Sequence, residues 1–239
     1  LTGETSTNTV TLYIIIDEES DYSSNEIAEN WAKFNGVIVY KSKNGTDFKF
    51  DLPKGYMFLG GKEKALWGEP FSANIPTEEV FVSPDYRTGN GKLVASMPLC
   101  ASGNVIEGMW FELKNGRIVK YGAKKGLETL KGLVEADDGA HYLGEASFVE
   151  YDSPIQSFKT LFYNTLFDEN AACHFALGAG FPECYPGGLD MTHDELTKAG
   201  VNDSMIHVDF MVGTKDLSIV GIDANGKRTQ IFKDGNWAF

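Results

Sequence analysis

The sequence predicts an α+β fold of mixed, mainly antiparallel strands with a few short helices, its sheet expected to curl toward a barrel. Many short runs alternate apolar and polar residues, or favour β-branched and aromatic ones, which is typical of strands. Asn-Gly and Asp-Gly pairs lie between these runs, and such residues tolerate the positive φ of hairpin turns. Helical patterns are few and brief, so a Rossmann-type fold is not expected.

The same patterns place the individual elements. Strands are predicted at residues 9–16, 36–40, 48–52, 80–82, 106–113 and 205–212. Turn pairs such as Asn44-Gly45 and Asn225-Gly226 punctuate them. Helices are predicted at residues 24–33, 126–136, 155–166 and 171–178, with a shorter one at 192–199.

Length and composition favour one large domain. The chain has 239 residues, of which 42% are hydrophobic, enough to bury a substantial core. We place the main domain at residues 34–239 and interpret residues 1–33, a strand and a helix, as a remnant or linker. No apolar run approaches the roughly 20 residues that span a bilayer, so no membrane association is expected.

Charge and cysteine content indicate the environment and exclude some partners. The net charge of −13 repels phosphate backbones, so nucleic-acid binding is disfavoured. The first ten residues lack the basic start and apolar middle of a secretory signal. The 3 cysteines form no Cys-x-x-Cys pair, which argues against a disulfide framework. We therefore expect a cytoplasmic protein.

A first pair of candidate functional residues lies in the predicted strand 205–212. The apolar side chains at 206, 208, 210 and 212 alternate with His207 and Asp209, so these two polar groups share one face. Both can converge on one ion or on two adjacent ions. Alternatively, Asp209 simply orients His207 through a hydrogen bond.

A second pair surrounds the predicted helix 171–178. Asn170 is a good N-cap, which would put Glu169 just outside the helix and His174 one turn inside it. A break before the helix would let the two side chains converge. The alternative is that Asp168 and Glu169 only complement the positive helix N-terminus.

Further carboxylates occur in predicted strands. Glu145 lies in an otherwise apolar run and must either face water at an edge or bind a cation, because burying it alone costs several kcal/mol. Glu78 and Glu79 precede the strand 80–82, where a solvated surface acid is the alternative. His141 and His193 have no predicted partner and are interpreted as core or surface residues.

Together these residues provide four carboxylates and two imidazoles on apolar elements: Glu79, Glu145, Glu169, Asp209, His174 and His207. Four negative charges balance two divalent cations, whereas one zinc ion would leave the cluster strongly anionic. Oxygen and nitrogen donors without sulfur suit Zn²⁺, Co²⁺, Mn²⁺ or Mg²⁺. The sequence therefore predicts a site for two divalent metal ions.

The sequence also resembles a known family, the metallo-aminopeptidases typified by aminopeptidase T and aminopeptidase S. The resemblance runs from about residue 34 to 239. It includes Asn44 to Asp47, Asn74 to Phe81, Leu143 to Glu145, Ser153 to Ile155, Asn164 to His174, Asn202 to Ser204 and His207 to Met211.

This resemblance implies a dinuclear catalytic site, with ligands at the six residues named above and Glu79 preferred to Glu78 by spacing. It further implies removal of single residues from peptide N-termini with broad preference, divalent metal ions, and a homodimer. On this basis residues 34–239 are expected to form a metal-binding catalytic domain.

Two departures from the family pattern bear on activity. Family members carry an additional N-terminal domain, whereas about thirty unmatched residues precede the resemblance here. Family members also often have a tyrosine where this chain has Phe181; that tyrosine is a candidate for stabilising the transition state, and Tyr185 lies nearby.

The function expected from the sequence is a two-metal aminopeptidase in which a metal-activated water attacks the peptide bond. Glu78 is the candidate general base. One alternative is a catalytically silent metal-binding or assembly domain. A second, a two-metal phosphoesterase, is disfavoured because few Lys or Arg flank the motifs.

Overall fold

The computed structural model describes residues 36–52 and 55–239, which form two large β-sheets, two small two-stranded sheets and several short helices. The strands are β1 Gly36–Lys41, β2 Asp47–Leu52, β3 Leu59–Gly60, β4 Lys62–Lys64, β5 Pro70–Ser72, β6 Val80–Val82, β7 Asn90–Val94, β8 Leu99–Ala101, β9 Asn104–Ile106, β10 Trp110–Lys114, β11 Arg117–Gly122, β12 Leu143–Phe148, β13 His174–Gly178, β14 His207–Met211, β15 Ser218–Asp223, β16 Arg228–Lys233 and β17 Asn236–Trp237. The α-helices are α1 Leu127–Val134, α2 Pro154–Ser157, α3 Thr165–Asp168 and α4 His193–Ala199.

The larger sheet has eight strands in the order β11-β10-β7-β2-β1-β15-β16-β17, and the second has five in the order β14-β13-β12-β6-β3. Neighbouring strands within both sheets are antiparallel. The predicted α+β class with mainly antiparallel strands is confirmed. Neither sheet closes on itself within the described residues, so the expected curling into a barrel is not found.

The core lies between the two sheets because strands of both turn alternate apolar side chains inward. In β2, Phe48, Phe50 and Leu52 are buried while the residues between them are exposed. Phe210 from the smaller sheet packs on Phe111 from the larger one, with ring centroids 4.7 Å apart. The outward face of the five-stranded sheet is therefore left available for polar side chains.

Several predicted elements are confirmed. The strands predicted at 36–40, 48–52, 80–82 and 205–212 coincide with β1, β2, β6 and β14. The helices predicted at 126–136 and 192–199 are α1 and α4. In α4 the Thr192 side chain and Glu195 form a capping box at the start, and Gly200 ends the helix in the left-handed conformation.

Two predicted helices are wrong. Only the ends of 155–166 are helical, as α2 and α3, because Lys159 and Tyr163 adopt positive φ and interrupt the chain between them. Residues 171–178 contain a short 3₁₀ turn, Glu169–Ala171, followed by strand β13. The alanines there resemble a helix pattern, but every residue of β13 is buried between neighbouring strands, and pairing overrides the propensity.

The strand predicted at 106–113 is also wrong as a single element. This segment divides into β9 and β10, because Gly108 adopts a φ of 64° and Glu107 forms an isolated β-bridge with Lys125. The strand predicted at 9–16 and the helix at 24–33 lie outside the described residues, and the division between residues 33 and 34 stays a prediction. Within the described part of the chain, no helix is long and apolar enough to cross a membrane.

Candidate metal centre

The outward face of the five-stranded sheet gathers the polar residues singled out from the sequence. Asp209 on β14 and Glu145 on β12 both lie opposite Ala176 on the strand between them. His174 lies two residues from Ala176 on the same face and opposite Ser147. The small Ala176 side chain leaves room between the two carboxylates, so these donors can approach one another across β13.

A β-bulge in β12 turns Glu145 toward this face. The pairing shifts between Leu143 and Glu145, so Gly144 is an extra residue opposite β13. Leu143 consequently points into the hydrophobic core, although it is two residues from the outward-facing Glu145. A Cβ at Gly144 would clash with the Ala179 carbonyl oxygen, so the bulge requires glycine.

Glu79, His174 and Ser147 form the first hydrogen-bonded group of the cluster. Ser147 Oγ donates to Glu79 Oε2 at 2.6 Å, and His174 Nε2 lies 3.1 Å from the same oxygen. His174 Nδ1 lies 3.1 Å from the Ala172 carbonyl oxygen, which accepts a hydrogen bond from Nδ1–H and leaves Nε2 directed at the cluster. Glu79 is buried, so it is not the solvated surface acid considered from the sequence.

Glu145, His207 and Asp209 form the second group. His207 Nε2 lies 3.2 Å from Glu145 Oε2 and 3.3 Å from Asp209 Oδ1, while its Nδ1 lies 2.8 Å from the Ala179 carbonyl oxygen. The predicted common face of His207 and Asp209 is thus confirmed. Glu145 is 3% exposed and does not face water.

The crowding of these groups shifts their pKa values. Burial, followed by the charges of Asp209 and Glu79, raises the pKa of Glu169, and burial also raises the pKa of Glu145. Burial alone would lower the pKa of the two histidines. The hydrogen bond to Glu79 outweighs burial and raises the pKa of His174 to about 10, and the nearby carboxylates of Asp209 and Glu145 raise that of His207 to about 11.

Two sets of possible metal donors result. Ligand atoms of Glu79, Glu145 and His174 lie within 4.8 Å of one another, as do those of Glu145, His207 and Asp209, so Glu145 belongs to both sets. Glu169 is buried and the charges of the cluster act on its carboxyl group, but it belongs to neither set.

The donor chemistry of the cluster fits divalent cations. Its ligand atoms are carboxylate oxygens and imidazole nitrogens, without sulfur. Asp209 Oδ1 is buried without a hydrogen bond of good geometry, despite its 3.3 Å distance to His207 Nε2, and such an atom is well suited to a cation.

Neighbours of the cluster have different roles from those predicted. Asn170 is not a helix N-cap; Asn164 caps α3 instead, by accepting a hydrogen bond from the Leu166 N–H. Asp168 accepts hydrogen bonds from the Phe162 and Asn164 N–H groups, so it complements the N-terminus of α3 and not that of the helix predicted at 171–178.

The remaining residues named from the sequence lie around the cluster or away from it. Glu78 is half-buried at the turn before β6, and the Phe181 ring lies 4.9 Å from the His207 ring. Tyr185 packs on Tyr56. His193 is 84% exposed beside Asp203, as expected for a surface residue, and His141 is half-buried.

Sequence reasoning missed Ser147, the Gly144 bulge and the contacts that Asn170 makes. The one sequence signal for Ser147 is that it is a small polar residue inside an apolar strand. A serine without any role in the site would fit such a position equally well.

Comparison with known proteins identifies the family. The pattern of the thermophilic metalloprotease (M29) family matches residues 24–237, and the chain belongs to this family. The resemblance found in the sequence motifs is therefore confirmed.

Individual relatives are named as aminopeptidases. The chain is 44% identical over 219 residues to aminopeptidase AmpS from Bacillus subtilis (92% of this chain, 53% of the relative). It is 46% identical over 202 residues to aminopeptidase 2 from Geobacillus stearothermophilus (84% of this chain, 49% of the relative). The structure of wild-type AmpT from Thermus thermophilus superimposes with a TM-score of 0.85 at 33% identity, covering 93% of this chain and 56% of that one. The chain thus spans about half the length of these relatives.

Proposed function

We propose that this chain is the metal-binding catalytic domain of an aminopeptidase that removes single residues from peptide N-termini, with two divalent ions held by Glu79, Glu145, Glu169, His174, His207 and Asp209. The observation that carries the proposal is the pair of donor sets that share the buried Glu145. Membership of the metalloprotease family and the aminopeptidase relatives support it.

The protein residues have separable tasks in this proposal. Bound divalent ions would supply Lewis acidity and a water of lowered pKa. The carboxylates of the cluster attract the protonated α-amine of a peptide and hold its first residue at the site. Ser147 and the Ala172 carbonyl orient Glu79 and His174 through the bonds described above. Glu78, next to a proposed ligand, is the candidate general base. It would take a proton from the attacking water and pass it to the leaving amine.

The test measures metal content and turnover together. The longest natural polypeptide containing this chain is stripped with a chelator and reloaded with Zn²⁺, Co²⁺, Mn²⁺ or Mg²⁺. Bound metal is counted by elemental analysis, and turnover is followed with leucine p-nitroanilide. Two ions per chain and metal-dependent release of p-nitroaniline are expected.

Two control substrates separate the alternatives. N-acetyl-leucine p-nitroanilide lacks the free amine and is expected to resist cleavage, and p-nitrophenyl phosphate reports a phosphoesterase. Two bound ions without turnover of any substrate would indicate a silent metal-binding domain and contradict the catalytic part of the proposal.

Assembly and location belong to the same proposal. We expect a homodimer acting on peptide substrates, as the family resemblance implies, and a cytoplasmic location, as the cysteine content indicates. Light scattering coupled to size-exclusion chromatography measures the first property, and a single chain mass would contradict it.

A further inference from the structure

The segment that carries Glu78 and Glu79 has little regular structure of its own. Residues 73–79 lie between β5 and β6 and belong to no helix or strand. Without a ladder of backbone hydrogen bonds, such a segment retains many conformations unless other contacts hold it. The position of the Glu79 carboxylate therefore depends on what fixes this turn.

The side chain of Asn170 contacts the turn directly. Its Oδ1 accepts a hydrogen bond from the Glu78 N–H at 2.6 Å, and its Nδ2 donates to the Pro76 carbonyl oxygen at 3.3 Å. The side chain is 1% exposed, so these bonds are shielded from water.

The same amide is anchored to the segment that carries Glu169. Nδ2 also donates to the Leu166 carbonyl oxygen at 3.0 Å, within the turn of α3. The Asn170 carbonyl oxygen accepts a hydrogen bond from Ser153 Oγ at 2.8 Å. This bond connects the short turn that contains Glu169 and Asn170, called the Glu169 turn below, to the start of α2. One buried side chain thus bridges two segments that each carry a carboxylate of the cluster.

We propose that Asn170 is a positioning residue, whose amide holds the Glu78–Glu79 turn against the Glu169 turn and so sets the spacing of the carboxylates for metal binding. This inference rests on the proposed function. The role requires an amide, because the bridge needs one acceptor for an N–H group and donors for two carbonyl groups.

The test compares Asn170→Ala with a chemically matched control, Asn44→Ala. Asn44 lies in the β1–β2 turn of the other sheet, where its Oδ1 accepts from the Thr46 N–H and its Nδ2 donates to the Val94 carbonyl oxygen. Both substitutions remove an amide bridge between two segments, but only one of the two bridges touches segments of the cluster.

Metal affinity is the main measurement. Zn²⁺ alone is titrated into each metal-free protein in competition with a chromophoric chelator. Loss of a group that orients metal ligands typically weakens affinity about ten- to a hundred-fold, and we expect this for Asn170→Ala and unchanged affinity for Asn44→Ala. Hydrogen exchange of peptides covering residues 73–79, measured without metal, is expected to accelerate only in Asn170→Ala.

The possible outcomes are distinguishable. If the unsubstituted protein binds no Zn²⁺, the proposed function itself fails. If it binds Zn²⁺ and Asn170→Ala binds it equally well, the positioning role alone is overturned. Should Asn170→Ala not fold, Asn170→Asp replaces it: the acceptor for the Glu78 N–H remains, while a carboxylate replaces the donors. Unchanged exchange at residues 73–79 in that variant would also overturn the proposal.

Discussion

At the scale of single residues, Glu145 has the most exacting position in the cluster. It is buried, it lies in both donor sets, and its carboxylate is 3.2 Å from His207 Nε2. A buried carboxylate of this kind is costly unless opposite charge or good hydrogen bonds surround it. Its side chain therefore affects both halves of the proposed site at once.

The first prediction concerns Glu145→Gln. The amide keeps the size of the side chain but removes a negative charge from both donor sets, so we expect fewer than two Zn²⁺ bound per chain. Elemental analysis after gel filtration measures this content. Glu183→Gln removes an exposed carboxylate from the loop after β13 and should leave the content unchanged. Full Zn²⁺ content in Glu145→Gln would contradict the shared role of Glu145.

A second residue-scale prediction concerns Asp137, whose carboxylate holds the loop before β14 in place through hydrogen bonds. Burial would raise its pKa, but hydrogen bonds from the Met205 N–H, Ser204 Oγ and the Ala140 N–H outweigh burial and lower the pKa. A lowered pKa stabilises the folded state above the ordinary pKa of the group, and the stabilisation is lost as pH falls through the lowered value.

Asp137→Asn should therefore reduce the free energy of unfolding at pH 7 by on the order of 1 kcal/mol, since the site is partly exposed. The difference from the unsubstituted protein should shrink below about pH 4. Urea titrations at pH 7 and pH 3.5 measure it, with the exposed Asp190→Asn as a control. A difference that persists undiminished at pH 3.5 would count against the charge-based explanation.

The sequence predicted the donors of the cluster better than the residues that hold those donors in place. Glu145 and Asp209 were recognisable because charged residues inside apolar runs need a partner. Asn170 was interpreted as a helix N-cap, whereas its bonds to Pro76 and Glu78 join positions more than ninety residues apart along the chain. No local pattern encodes such a contact.

At the scale of elements, strand β12 shows how one extra residue determines which side chains face the cluster. Leu143 and Glu145 would share a face in a regular strand, since the side-chain period is two. The bulge at Gly144 separates them, with Leu143 in the core and Glu145 outside. Alternation alone could not predict this arrangement from the sequence.

We predict that Gly144→Ala destabilises the protein and disturbs metal binding. The new Cβ would meet the Ala179 carbonyl oxygen, and such overpacking typically costs about 1–3 kcal/mol. Gly132→Ala is the matched control: its Cβ meets nothing within 4 Å and lies in α1, where alanine should stabilise the helix by roughly 0.5–1 kcal/mol. Urea unfolding of both variants measures the signs, and equal stabilities would refute the prediction.

The two misassigned helices have separate physical causes. Residues 155–166 have the apolar spacing of a helix, but Lys159 and Tyr163 adopt a positive φ that interrupts it. Because lysine and tyrosine seldom adopt a positive φ, these residue types do not indicate the interruption. Residues 171–178 were predicted as a helix with Asn170 as its N-cap, whereas pairing with strands on both sides decides the structure of β13. In both cases contacts distant in sequence outweigh local preference.

At the scale of the whole molecule, acidic residues are divided between the surface and the cluster. Among the described residues the buried acidic side chains are Glu79, Asp85, Glu145, Asp168, Glu169 and Asp209. Asp85 pairs with Arg87 at 2.7 Å, and Asp168 accepts backbone N–H bonds. The other four belong to the proposed metal site, so part of the net charge of −13 lies inside the fold.

We therefore predict that divalent metal stabilises the whole fold. A ligand that binds only the folded state adds about 2.7 kcal/mol at a hundred times its Kd. For a chain of this size that corresponds to roughly 5–10 °C in Tm. Thermal unfolding followed by circular dichroism, with Zn²⁺ and with excess chelator, measures the change. Glu145→Gln should show a smaller rise, and an equal Tm under both conditions would contradict the prediction.

The Gly144 bulge also has a consequence for how this chain can vary in length. Deleting Gly144 would make Leu143 and Glu145 adjacent in a regular strand, where they would still face opposite sides, so the inward and outward sets of side chains would be kept. Deleting Leu143 or Glu145 instead removes a core side chain or a donor of the cluster. Exposed hairpin turns such as Asn225-Gly226 carry neither and tolerate changes of length. In a library of single-residue deletions, tolerated positions should therefore cluster in the hairpins, and within 143–145 only the deletion of Gly144 should be tolerated.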